Sequence, residues 1–346
     1  MDIFGKNLGE KMNRRIDSHK LMLHPEIVSK WKRGEQVYPL YIEISPTSLC
    51  NLHCNFCALD FIKHANSLNA SFVDFKEMSD LGIKSIMFAG EGEPLIHPEI
   101  IWMAQQAKSY GIDVALTTNG LLLKRSLSLE ILPVMSWIKI SLASSLRSTF
   151  NKICGVEGIA SLHRILENIY EAVQIRNTIK YNCDIGIQML VTEENEFDIG
   201  YTIETVRDLG ADYIVLKQYS KHPASGNVHK TPGWKENFTT LSTDSFKVIQ
   251  RDPVDIHLYD KCYGLPFWSY IASNGDVWAC SAHMPDERFV LGNIYKSKME
   301  DIWTKENYER VQKLIDVSKC RVGCRMNKCN EYLHELINPN QHVNFI

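Results

Sequence analysis

Between residues 40 and 219 short β-rich runs alternate with longer helical patterns, and that order leaves few folds open. The predicted strands are Leu40 to Ser45, Ser85 to Ala89, Asp113 to Thr118, Trp137 to Ala143, Asp184 to Thr192 and Tyr213 to Tyr219, rich in Ile, Val and aromatic residues. Helical periodicity falls between them, over Phe72 to Leu81, Pro98 to Tyr110, Leu127 to Val134, Ile159 to Asn177 and Glu196 to Leu209. Strand-then-helix units in succession imply parallel strands joined by right-handed crossovers, hence an α/β sheet or a partial barrel. In such folds ligands gather beyond the carboxyl ends of the strands. The unusual segments fall there: a cysteine run after the first strand, Gly90-Glu91-Gly92-Glu93-Pro94 after the second, Thr118-Asn119-Gly120 after the third, and Ser141 to Ser145 at the end of the fourth.

A length of 346 residues allows this unit and a smaller one beside it. The 38 Lys and Arg against 41 Asp and Glu argue against a chain built to hold nucleic acid or an anionic membrane surface. No apolar run is long enough to span a bilayer, and Met1 to Arg15 is too charged for a secretory signal, so a cytoplasmic protein is expected. In that reducing compartment ten cysteines point to metal ligands or reactive thiols rather than disulfides.

Three of the ten form Cys50-x3-Cys54-x2-Cys57, and five lie near the other end: Cys262, Cys280, Cys320, Cys324 and Cys329. Cys154 and Cys183 stand alone and read as small buried hydrophobes. A structural zinc site closes with four ligands, and His53, between two of the cysteines, is a strained fourth. A cubane iron-sulfur cluster held by three thiolates keeps one iron open to a substrate or cofactor.

The C-x3-C-x2-C run, with the aromatic Phe56 just before its last cysteine, resembles the signature of the radical S-adenosylmethionine (SAM) superfamily. The resemblance implies a 4Fe-4S cluster on Cys50, Cys54 and Cys57 whose open iron binds SAM. Reductive cleavage of SAM then gives methionine and a 5'-deoxyadenosyl radical that takes a hydrogen atom from substrate. Gly90-Glu91-Gly92-Glu93-Pro94-Leu95 resembles the Gly-Gly-Glu-Pro element that meets the SAM amino group: Gly92, Glu93 and Pro94 match, and Glu91 stands where the first Gly is usual. A dinucleotide fingerprint is the rival reading there, weakened by the missing third Gly. Asn119 and Ser141 resemble positions that touch the cofactor, although Asn119-Gly120 also suits an ordinary turn. Gln188, polar and mid-strand, is a further cofactor candidate.

Alternation turns Tyr41, Glu43 and Ser45 inward and Ile42 and Ile44 toward the helices. An inward carboxylate needs a partner, so Glu43 is either a catalytic candidate or half of an ion pair, with Lys217 the expected partner. Lys217 and Tyr219, with Gln218 and His222, end the sixth strand facing the expected substrate mouth.

The second cysteine group resembles the C-terminal auxiliary-cluster domain of SPASM and twitch radical SAM proteins. Full SPASM domains carry seven cysteines and two clusters; five here fit one auxiliary 4Fe-4S cluster on Cys262, Cys280, Cys320 and Cys324. Cys329 is left on a predicted helix, and exchange with Cys320 or a four-cysteine zinc site are the alternatives. Ile271 to Cys280 reads as a β-hairpin with a two-residue Asn274-Gly275 turn.

The expected fold is α/β, a partial (β/α)6 TIM-type barrel followed by a small auxiliary-cluster (twitch/SPASM-like) domain. The expected boundaries are 1–37 for an N-terminal helical extension, 38–220 for the barrel, 221–257 for a connector with at most one helix (Thr243 to Arg251), and 258–346 for the cysteine domain. Too few residues precede Leu40 for the peptide-recognition module of many SPASM maturases. The expectation is therefore a radical SAM oxidoreductase acting on a small, carbohydrate-like substrate and reduced by a flavodoxin or ferredoxin, with no nucleic acid or membrane partner. A peptide-modifying maturase and a non-catalytic iron-sulfur or zinc protein are the alternatives.

Overall fold

The computed structural model describes residues 19–157, 160–251 and 257–345. The expectations placed on Met1 to Arg15, on Ile159, on residues 252–256 of the connector and on Ile346 lie outside the described residues. Helix α1 (Pro25–Lys32), with Pro25 at its first position, precedes the sheet and buries Val28.

Strand and helix then alternate in the expected order: β1 (Tyr41–Ile44), α2 (Phe75–Asp80), β2 (Ser85–Phe88), α3 (Ile100–Ser109), β3 (Asp113–Thr118), α4 (Arg125–Ile131) and β4 (Met135–Ser141). Two helices follow, α5 (Arg147–Cys154) and α6 (Ala160–Ile179), then β5 (Asp184–Val191), α7 (Ile199–Asp208), β6 (Tyr213–Gln218) and β7 (Lys247–Arg251). Every pair from β1·β2 to β6·β7 is parallel. The helix-facing side chains Ile42, Ile44, Ile138, Ile140, Ile185 and Ile187 are fully buried. Each removes an aliphatic side chain from water, a gain of roughly 1.5–3 kcal/mol.

The remaining elements are β8 (Trp268–Ile271), β9 (Asp276–Trp278), β10 (Val290–Asn293), α8 (Met299–Ile302), α9 (Lys305–Gln312) and α10 (Asn327–Ile337). β8 pairs in parallel with β1, Tyr41 opposite Trp268 and Glu43 opposite Tyr270. One ten-stranded sheet results, in the order β10-β9-β8-β1-β2-β3-β4-β5-β6-β7. The cysteine-bearing hairpin thus extends the sheet next to its first strand.

Two local expectations are corrected. Thr243 to Arg251 forms no helix. Lys247–Arg251 is strand β7, whose Val248 is buried beside Ile214, because the free edge of β6 captures a short β-branched run. The hairpin loop holds three residues, not two. Gly275 N–H donates to the Ala272 carbonyl (2.9 Å) and Ala272 N–H to the Asp276 carbonyl (2.9 Å), with Gly275 at φ +85°. That is a turn closed by a left-handed glycine, and Ser273 within it is turned toward Glu91.

Candidate active site

β1 leads directly into the Cys50–Cys57 loop, in which Cys50 is exposed and Cys54 and Cys57 are half-buried. Hydrogen bonds tie this loop to the next two strand ends. Glu93 N–H donates to the Leu49 carbonyl (2.8 Å), and Asn119 Nδ2 donates to Asn51 Oδ1 (2.7 Å). Glu93 is the hub: buried, its carboxylate accepts from Thr118 Oγ1 (2.6 Å), from Asn119 N–H (2.7 Å) and from Leu95 N–H (3.1 Å). Burial raises its pKa, and these donors hold it back.

The glycines of the second loop are required by space. A Cβ at Gly92 would stand 2.2 Å from the Leu49 carbonyl oxygen, and Gly90 sits at φ +116° against Ser45 and Tyr270. Glu91 keeps a negative φ, so its backbone can still offer carbonyls as the usual glycine would. Its buried carboxylate accepts from the Ser273 hydroxyl and from Ser273 N–H (3.2 Å), linking this loop to the β8–β9 hairpin. Ser141, exposed at the end of β4, stands in register beside the half-buried Gln188 on β5. Phe56 is half-buried and packs against the main core.

Three features here were not read from the sequence. Helix α5 ends against the cysteine loop: the Cys154 carbonyl accepts from His53 N–H (3.1 Å) and the Ile153 carbonyl from Asn55 N–H (2.8 Å). The Cys154 thiol hydrogen-bonds with Cys54, and this contact, with burial, pushes the Cys54 thiol far up. The segment after β6 closes over the same loop, Asn227 Nδ2 donating to the Cys57 carbonyl (2.9 Å) and a His229 ring nitrogen lying 3.0 Å from the Asn55 carbonyl. Tyr219 is spent on that segment, its hydroxyl donating to the Asn227 carbonyl (2.8 Å), and His222 stacks on Phe61 (4.8 Å).

Glu43 points inward as expected, but its ion pair is with Arg325, not Lys217. Arg325 comes from the loop before α10 and also lies over the Trp268 ring, 4.9 Å from its centre. The pairing is tertiary, across 282 residues, and no local pattern signals it.

The C-terminal thiols form a second group. Burial raises Cys262, and Cys280, Cys324 and Cys320 then raise it further, in that order. Cys280 is pushed up to about 12 and Cys320 to about 11. Cys329 lies on α10 and feels only Cys324 among the cysteines. Asn330, also unforeseen, accepts from Gly264 N–H (2.6 Å) and directs its amide at Cys262 Sγ (3.8 Å). Among the described residues no three His, Cys, Asp or Glu side chains converge tightly enough to grip one ion. Thiols that crowd one another electrostatically suit a cluster, whose positive charge favours the thiolates.

The radical SAM superfamily model matches residues 44–206, spanning the cysteine loop and the strand ends joined to it. The chain contains a radical SAM domain. An iron-sulfur cluster-binding SPASM domain matches residues 262–330, which hold all five C-terminal cysteines. The first domain implies a 4Fe-4S cluster and SAM, which the three-thiol loop with its glycine cradle fits, and the SPASM domain implies auxiliary iron-sulfur binding.

Among curated relatives, the GTP 3',8-cyclase of Chlorobaculum tepidum is 29% identical over 53% of this chain and 55% of its own length. This chain therefore spans about half of that relative. A tungsten-containing aldehyde ferredoxin oxidoreductase cofactor-modifying protein of Pyrococcus furiosus is 23% identical over 78% of this chain and 81% of its own. Among solved structures, SuiB of Streptococcus suis bound to SAM shares the fold, with a TM-score of 0.63, 18% identity, and 84% of this chain covering 72% of that one. No helix among the described residues is long and apolar enough to cross a membrane.

Proposed function

We propose that this radical SAM enzyme is an oxidoreductase that abstracts hydrogen from a small, carbohydrate-like molecule held in the interior of the sheet. The observation that carries the reading is the joining of the three-thiol loop, the Gly90–Glu93 loop and the Asn119 turn at one rim, above an interior lined by Glu43, Lys139, Gln188 and Lys217. In this reading residues 38–220 form the catalytic unit, 221–257 the connector and 258–346 the auxiliary unit. Cys50, Cys54 and Cys57 hold the catalytic cluster, and Cys262, Cys280, Cys320 and Cys324 hold one auxiliary 4Fe-4S cluster.

Held by Cys50, Cys54 and Cys57 and reduced by a ferredoxin or flavodoxin, such a cluster would supply the one-electron cleavage of SAM to methionine and a radical able to take hydrogen from substrate. The chain's own residues do the positioning. Gly90 and Gly92 let the backbone approach SAM, Glu93 locks the two neighbouring strand ends, and Ser141, Gln188 and Asn119 offer hydrogen bonds. Asn227 and His229 brace the far side of the cysteine loop through its Cys57 and Asn55 carbonyls. The cofactor-modifying relative, which matches along most of its length, supports a small substrate over a peptide.

Anaerobic reconstitution tests this. About eight irons per chain and 5'-deoxyadenosine on reduction are expected. Loss of 5'-deoxyadenosine in Cys50→Ala, Cys54→Ala and Cys57→Ala, with about four irons kept, is expected too. One zinc without SAM cleavage overturns the reading, and hydrogen loss from an added peptide moves the substrate to the maturase class.

A further inference from the structure

Among the described residues, the interior wall holds two lysines that no carboxylate pairs with. Lys139 on β4 and Lys217 on β6 are both half-buried, and Arg251 on β7 stands in register beside Lys217. Arg321 and Arg325 reach in from the C-terminal cysteine loop, Arg321 donating to the Ser220 carbonyl (3.0 Å). Glu43, the carboxylate that acts on Lys139, is already joined to Arg325. Among the described residues neither lysine has an ion-pair partner; Lys139 lies over the Trp137 ring at 5.4 Å.

Two arginines flank auxiliary thiolates, whose cluster would carry negative charge of its own. The lysines have no such counterweight. Burying ammonium groups beside like charges is costly, and it is relieved when a fixed anion enters. We propose that the substrate bears an oxyanion, a carboxylate or phosphoryl group, seated between Lys139 of β4 and Lys217 of β6. This rests on the reading that the sheet interior is the substrate site, and it adds the charge class. The unliganded state agrees: burial lowers Lys217 to about 7 and Lys139 to about 8, with the neighbouring arginines adding to each. Lysines act as point charges that accept either kind of oxyanion.

The test uses reconstituted wild-type enzyme saturated with SAM, acetylated by acetic anhydride at neutral pH and mapped by mass spectrometry. The exposed Lys76 serves as the internal standard. Pyrophosphate, inorganic phosphate and malonate are each added at a concentration several times that giving half-maximal effect. Protection of Lys139 and Lys217 by about fivefold, weakened by sodium chloride, is expected from at least one of them. Stronger protection by the phosphates assigns a phosphoryl group, and by malonate a carboxylate. Unchanged labelling with all three overturns the proposal, as does full protection by SAM alone, which would give the lysines to the cofactor's carboxylate. By calorimetry Lys139→Gln/Lys217→Gln should bind the protecting anion at least about tenfold more weakly, while Lys217→Arg retains it. Wild-type enzyme that makes 5'-deoxyadenosine but shows no protection sinks this proposal alone. Protection without SAM cleavage sinks the parent reading and leaves the anion site standing.

Discussion

At Gly92 one added carbon decides whether the cysteine loop can close, because the Leu49 carbonyl already occupies the place of a side chain. Gly92→Ala is expected to destabilise the fold by about 1–3 kcal/mol and to abolish SAM cleavage, read by urea denaturation and 5'-deoxyadenosine release. A variant with unchanged stability and turnover would show that the loop has room to relax. Glu43 shows what a sequence can and cannot say about a residue. Alternation along Tyr41-Ile42-Glu43-Ile44 was enough to turn the carboxylate inward. Its partner was not legible, since Arg325 arrives from a distant loop. Glu43→Gln should cost about 1–3 kcal/mol, less than a fully buried pair would, because Arg325 keeps 45% of its side chain exposed. A double-mutant cycle with Arg325→Met checks it, and additive losses would mean that the two do not interact.

Among elements, the parallel strands were readable because each is a β-branched run between breakers. The misread strand β7 and the unread helix α5 share a cause, in that short segments take their structure from a neighbour. β7 follows the open edge of β6, and α5 is fixed by its contacts with the cysteine loop and stopped at Gly155, φ +62°. The spacing also placed Cys329 on a helix, which α10 bears out. That placement gives a clean iron count: Cys324→Ala should lose the auxiliary cluster, about four irons, whereas Cys329→Ala should keep the wild-type number and spectrum. Equal loss from both would make Cys329 a ligand.

For the whole molecule, the charge of the interior shapes stability with pH. Lys217, lowered to about 7, and Lys139, lowered to about 8, bind protons less readily folded than unfolded. Between about pH 7 and pH 10 these two lysines hold more protons in the unfolded chain than in the folded one, so their own contribution to stability without an anion should rise with pH across that window. Lys217→Met should flatten part of the rise, measured by denaturant midpoints at pH 7, 8 and 9. Identical slopes in the two proteins would show that Lys217 is not the group under strain.

The parallel pairing of β1 with β8 also sets a timetable. β1 meets its far partner only after more than two hundred further residues have been made. At roughly 5–20 residues per second that is an interval of about ten seconds or more. During it the first strand has one bare edge, Glu43 lacks Arg325, and Glu91 lacks Ser273. Until β8 is made, the nascent sheet presents an unpaired strand edge, a template on which another strand could pair wrongly.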